Sequence, residues 1–249
     1  MNAWAASAAA LPPAALPVSD FFLQTAIVYY DLETTGLDTR TAETIEIAAQ
    51  IDPGCKKAFH HYHASREEQC SLSSVSDAFS ALICPASGCI PEKASQVNGI
   101  YMDPELDPAK PPRVNVRGAP SFEQVAEKWL AWLRDWRKWC PPSCKQILLV
   151  AHNNFDYDSK ILLRQLKQHA LSLPDCVAMS DSLPSLRHCF PFPMRKFNMQ
   201  ALITLWCKDQ NMVQDHRAAS DVRMLIAIVQ RCPEPAAFIQ HLITNAKKI

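Results

Sequence analysis

A chain of 249 residues with 48% apolar side chains can bury one sizeable α/β core, and 25 basic residues are matched by 25 acidic ones. The charge balance excludes a binder that draws in a polyanion through a global field, so any nucleic-acid contact must come from a local patch. Ten cysteines without a CxxC pair argue against a zinc ribbon or a disulfide ladder. They read as reduced thiols in a reducing, intracellular compartment, cytoplasmic or nuclear.

Residues 1–22 are rich in Ala and Pro and lack the basic start of a signal peptide. They are expected to form a disordered leader before a single domain at 23–249, and no apolar run reaches the length of a membrane span. Next comes Ile27-Val-Tyr-Tyr-Asp31-Leu-Glu33-Thr-Thr-Gly36-Leu37, an apolar run that delivers two carboxylates and breaks on a glycine. On a strand Asp31 and Glu33 share a face, where two like charges repel unless a cation lies between them. Two readings stand: oxygen ligands holding Mg²⁺ or Mn²⁺, or a strand that ends in an ordinary polar turn.

Thr44–Ile51 alternates with Ile45, Ile47, Ala49 and Ile51 on one face, which predicts a half-buried strand antiparallel to the first. The stretch 52–79 is polar and poorly periodic, so it is expected to be a solvated loop or hairpin insertion, with His60, His61 and His63 not acting as ligands. A strand is expected at Phe79–Cys84 and a short helix from Ile90 to Asn98 stopped by Gly99. Pro104, Pro108, Pro111 and Pro112 make 103–119 an extended loop insertion.

Ser121 and Gln124 have capping-box spacing, and Phe122, Val125, Trp129, Trp132, Leu133 and Trp136 recur at helical intervals. That tryptophan stripe is read as core-facing rather than as a base-stacking platform. Gln146–Ala151 is a continuous apolar run that suits a strand covered on both faces. Helices follow at about 158–170, 197–207, 218–231 and 236–246, with Asp181 in a short strand or turn and Phe190–Pro193 in a loop. Early strands, a parallel crossover and late helices predict a mixed sheet flanked by helices.

Two further acidic sites stand out by position. Ala151-His152-Asn-Asn-Phe-Asp156-Tyr-Asp158 leaves the buried strand at the sheet's carboxyl end, where α/β ligands collect. His216-Arg-Ala-Ala-Ser-Asp221 opens the penultimate helix, and a separation of five puts the two about 140° apart on a helix, so His216 is expected in the preceding loop.

Asp31-Leu-Glu33-Thr-Thr-Gly-Leu37, the Ala-His-Asn segment with its downstream Asp, and His216-x4-Asp221 resemble the three motifs of the DEDDh (DnaQ-like) branch of 3′→5′ exonucleases. Ile45-Glu-Ile-Ala-Ala, Val97-Asn-Gly-Ile100, Ala119-Pro-Ser-Phe and Asp181-Ser-Leu extend the likeness from about residue 24 to 245. Leu149-Val-Ala-His-Asn, His216-Arg-Ala-Ala-Ser-Asp221-Val and Gln230-Arg-Cys-Pro make it closest to the three-prime repair (TREX-like) exonucleases.

The resemblance implies a ribonuclease H-like fold with a central mixed five-stranded sheet. It also implies two Mg²⁺ (or Mn²⁺) held by Asp31, Glu33, Asp158 and Asp221, with His216 as the base. The second-motif aspartate is assigned to Asp158 rather than Asp156, because Ile161 and Leu162 then supply the apolar anchors three and four residues on. The implied partners are single-stranded DNA or RNA 3′ ends, a nucleoside monophosphate product, and a second copy joined by sheet edges. The backbone after Glu33, at Thr34, would meet the terminal sugar, with Leu37 and Ile100 against the last bases and His216 beside the cleaved bond. Arg187, Arg195 and Lys196 are either phosphate contacts or a solvated basic loop. The competing readings are an RNA-trimming enzyme and a catalytically silent interaction module, the latter disfavoured by the presence of all five site residues.

Overall fold

The structure is a computed structural model that describes residues 18–65, 75–102, 114–190, 196–210, 212 and 214–249. Most of the Ala/Pro-rich leader, much of the Ser-rich run, the proline-rich loop at 103–113 and Arg195 lie outside the described residues.

In chain order the elements are α1 (Val18–Gln24), β1 (Thr25–Thr34), β2 (Thr44–Ile51), α2 (Pro53–Ala64), β3 (Ala78–Leu82), α3 (Glu92–Asn98), β4 (Ile100–Tyr101), β5 (Val114–Asn115) and α4 (Phe122–Trp139). They continue with β6 (Gln146–Ala151), α5 (Asp158–Gln168), β7 (Val177–Asp181), α6 (Ser182–Cys189), α7 (Met199–Trp206), α8 (Ala218–Arg231), α9 (Pro235–Thr244) and β8 (Lys247–Lys248). The main sheet runs β3-β2-β1-β6-β7-β8. β1, β6 and β7 are parallel, while β2, β3 and β8 join antiparallel. Five strands carry the expected mixed sheet, and the two-residue β8 adds a sixth at one edge.

Position in the sheet explains strand composition. β6 lies between β1 and β7, and every residue from Ile147 to Ala151 is buried, which is why its sequence is continuously apolar. α4 covers one face: the ring of Tyr30 on β1 comes within 6.5 Å of Trp129, and Trp129, Trp132, Trp136 and Trp139 are all buried. Its capping box forms, with Gln124 N–H donating to Ser121 Oγ and Ser121 N–H to Gln124 Oε1. α8 packs against β1 and β2, and α7 against α8. No described helix is long and apolar enough to cross a membrane.

Part of the 52–79 stretch departs from the loop expectation, because residues 53–64 form α2. Asp52 caps it by accepting from the N–H groups of Gly54 and Cys55, and Pro53 starts it. Only Cys55, Phe59 and His63 are buried, a single file at intervals of four. So narrow a stripe is hidden among the surrounding Lys, His and Tyr. α6, between β7 and the loop at Phe190, was likewise not anticipated; Asp181 caps it by accepting from Leu183 N–H.

Candidate active site

The carboxyl ends of β1, β6 and β7 lie side by side, since Tyr29 pairs with Val150 and Ala151 with Asp181. Alternation along β1 turns Tyr30 and Leu32 into the core and leaves Asp31 and Glu33 half-buried at the exit, where the β1–β2 register shifts between Glu33 and Thr34. From α8, Asp221 reaches the same place. One carboxylate oxygen each from Asp31, Glu33 and Asp221 lies within 4.8 Å of the others.

Asp158, at the first position of α5, is buried; its Oδ1 accepts from Leu32 N–H at 3.2 Å, and its charge is among those that press on Asp31. Asp156 instead is exposed and paired with Lys160 at 3.3 Å. His216 precedes α8 with φ of 52° and lies close enough to Asp221 to favour its carboxylate electrostatically. The structure thus brings Asp31, Glu33, Asp158, Asp221 and His216 to one sheet edge and leaves Asp156 in solvent.

Burial and mutual repulsion dominate the electrostatics. Burial first, then the charges of Asp158, Glu33, Asp221 and Glu46, hold Asp31 well above the usual carboxylate range. Glu33 is pushed up to about 9 by burial and by Asp221 and Glu46, against a hydrogen bond from Asn98. Burial raises Asp158 to about 7 despite the Leu32 N–H, and raises Asp221 despite Gln214 and His216. Such a group either shares protons or takes a cation.

The donor set fits a hard divalent cation, since all its ligands are oxygens. One buried atom points the same way: Gln214 Nε2 donates to Asp221 Oδ2 at 2.8 Å, whereas Asp221 Oδ1 is buried with no hydrogen-bond partner among the described residues.

The supporting residues were less legible. Asp181, 4% exposed, accepts from the N–H groups of Asn153, Phe155 and Leu183 and so fixes the loop that leads to Asp158. Tyr30 Oη donates to Asn154 Oδ1, and Tyr157 Oη donates to Gly36 O at 2.8 Å and meets Thr34 Oγ1. Thr34 Oγ1 also donates to Gly36 O, so its side chain is spent on the turn. Buried Glu46 on β2, to which the sequence assigns no role at the site, accepts from Arg217 and Ala218. The available signal was a lone Glu among apolar neighbours.

The expected base contacts divide. Leu37 is 87% exposed beyond the β1 turn, but Ile100 is fully buried with Ile45 and Val116 in a small second core, so its side chain offers no surface to a base. Val97, two residues after Ser95 on α3, is the exposed apolar side chain there. Arg187 is exposed, with its guanidinium 6.0 Å from the Phe197 ring centre, and Lys196, the residue before Phe197 in the chain, is exposed.

No protein-family model matches the chain. It is 24% identical over 209 residues to "Exonuclease DPD1, chloroplastic/mitochondrial" of Arabidopsis thaliana, covering 82% of this chain and 55% of that protein. It is 26% identical over 220 residues to "Three prime repair exonuclease 2" of Mus musculus, covering 85% of each. In fold it is similar to E. coli exonuclease I, solved zinc-bound with single-stranded DNA (TM-score 0.57, 15% identity) and with a dA16 oligonucleotide (TM-score 0.55, 16% identity). Each likeness covers 89% of this chain and 43% of exonuclease I. The chain spans about half the length of the Arabidopsis relative and less than half of exonuclease I. The resemblance to DnaQ-like, TREX-like exonucleases and the ribonuclease H-like fold expectation are both borne out.

Proposed function

We propose that the chain is a metal-dependent 3′→5′ exonuclease that releases nucleoside 5′-monophosphates from single-stranded DNA ends. The observation that carries this reading is the meeting of Asp31, Glu33 and Asp221 within 4.8 Å at the carboxyl edge of the sheet, with one buried Asp221 oxygen unpartnered. Asp31, Glu33, Asp158 and Asp221 would hold two Mg²⁺ or Mn²⁺ ions. Bound there, the ions would polarise the attacking water and steady the departing 3′ oxygen.

The protein's own groups do the rest. His216, poised on its loop beside Asp221, takes the proton from the attacking water at an imidazole nitrogen. Leu37 presents an apolar surface to the terminal base, and the backbone at Glu33 and Thr34 meets its sugar. Arg187 and Lys196 supply a local positive patch for the phosphates, the kind a neutral chain needs. A single-stranded substrate is favoured because exonuclease I was solved with such strands. Two copies pair through the outer strand β3, whose residues are half-buried or exposed. Free thiols at every described cysteine suit the cytoplasm or nucleus.

The test is mononucleotide release from a DNA oligomer labelled at its 3′ end, with Mg²⁺, beside a matched RNA oligomer. Release from DNA, faster than from RNA and lost in Asp31→Ala and His216→Ala, is expected. Equal digestion by parent and variants would dismiss the assignment, and an inert parent would favour an interaction module.

A further inference from the structure

Resting on the exonuclease reading, we propose that the pair formed by buried Glu46 and half-buried Arg217 is a positioning device that sets where α8 begins on β2 and so delivers Asp221 and His216 to Asp31 and Glu33. Glu46 is 3% exposed and stands directly across the β1–β2 register from Glu33. Three donors converge on its carboxylate: Arg217 Nε at 3.0 Å, Arg217 Nη2 at 2.8 Å and Ala218 N–H at 3.1 Å. The guanidinium fork fits both oxygens at once, which fixes direction as well as distance. Arg217 and Ala218 are the cap and first residue of α8, so the contact pins the helix at its origin.

The placement matters because a helix rises about 1.5 Å and turns about 100° per residue. A slip of one residue on β2 would carry Asp221 out of the 4.8 Å group it shares with Asp31 and Glu33. His216, held at φ of 52° next to the pinned residue, would lose its direction with it. Arg217 also removes a rival. Glu46 presses electrostatically on Asp31, Glu33 and Asp221, and without the guanidinium it would be a further buried anion able to compete for the cation.

The test compares the parent with Arg217→Lys and the double variant Glu46→Ala/Arg217→Ala, reading kcat and KM on a DNA oligomer, Mn²⁺ affinity by calorimetry, and thermal unfolding. Arg217→Lys keeps the charge balance but loses the fork, and the double variant leaves no unpaired buried charge, so both keep the fold. Positioning predicts that kcat falls on the order of 100-fold in the double variant and less in Arg217→Lys, with KM within about threefold. Mn²⁺ affinity should weaken by about tenfold or more in the double variant. Two folded variants within about threefold of the parent in kcat and Mn²⁺ affinity would overturn the proposal and leave the pair a structural ion bridge. An inactive parent would sink the exonuclease reading alone, because the Mn²⁺ measurement still reports on the pair.

Discussion

Asp156 and Asp158 sit two residues apart, yet one is exposed beside Lys160 and the other is buried against β1. Asp158→Asn is therefore expected to lower turnover by on the order of 100-fold or more and Asp156→Asn to leave it within about threefold; the reverse ranking in a 3′-end digestion would move the ligand to Asp156. The raised carboxyls also set a pH dependence. A carboxyl whose folded pKa exceeds its unfolded value stabilises the fold when protonated, so that stability is complete below the ordinary 3.8 of Asp158 and 4.5 of Glu33. It is lost as pH climbs through about 7 and about 9 respectively. Chelator-treated protein should melt at lower temperature at pH 8 than at pH 5, and Mn²⁺ should restore most of the loss by binding the deprotonated form. A melting temperature that rises over that interval without metal would contradict the assigned shifts.

Elements follow their local signals where burial is broad and lose them where it is narrow. α4 shows the first case, with nine buried side chains on one capped helix. Ser121→Ala should cost about 1 kcal/mol, because it removes the acceptor for Gln124 N–H. The tryptophans differ in a testable way. Trp136 Nε1 donates to Ser76 O at 3.1 Å, whereas Trp129 Nε1 is buried without a partner among the described residues. Trp136→Phe forfeits a hydrogen bond, and Trp129→Phe removes an unsatisfied donor. Denaturant midpoints are expected to drop further for Trp136→Phe, and the opposite order would show that lost volume outweighs the polar term. α2 is the second case: Cys55, Phe59 and His63 form too thin a stripe for periodicity to reveal, and tertiary contact with α1 supplies what the pattern lacks.

For the whole molecule, the sheet matters because it brings the carboxyl ends of β1 and β6 beside Asp221 from a helix that is remote in sequence. Removing metal with a chelator should abolish mononucleotide release and adding Mg²⁺ or Mn²⁺ restore it; release that persists in the chelator would remove the cation from the reaction. Pairing through β3 predicts a light-scattering mass twice that of the chain. The sequence by itself determined most of the strands and the longer helices, though not α2 or α6, together with the shared face of Asp31 and Glu33 and the loop position of His216, because each rests on spacing within a few residues. Only the tertiary structure decided that Ile100 is core, that Asp181 and Tyr157 hold the loops around the acids, and that Glu46 is clamped by Arg217. The Tyr157 and Glu46 contacts join residues 121 to 172 apart, those of Asp181 to the loop before α5 join residues 26 and 28 apart, and Ile100 is buried under residues from other elements. No local pattern encodes such pairings, since they arise only when the chain closes on itself and every buried charge must find a partner.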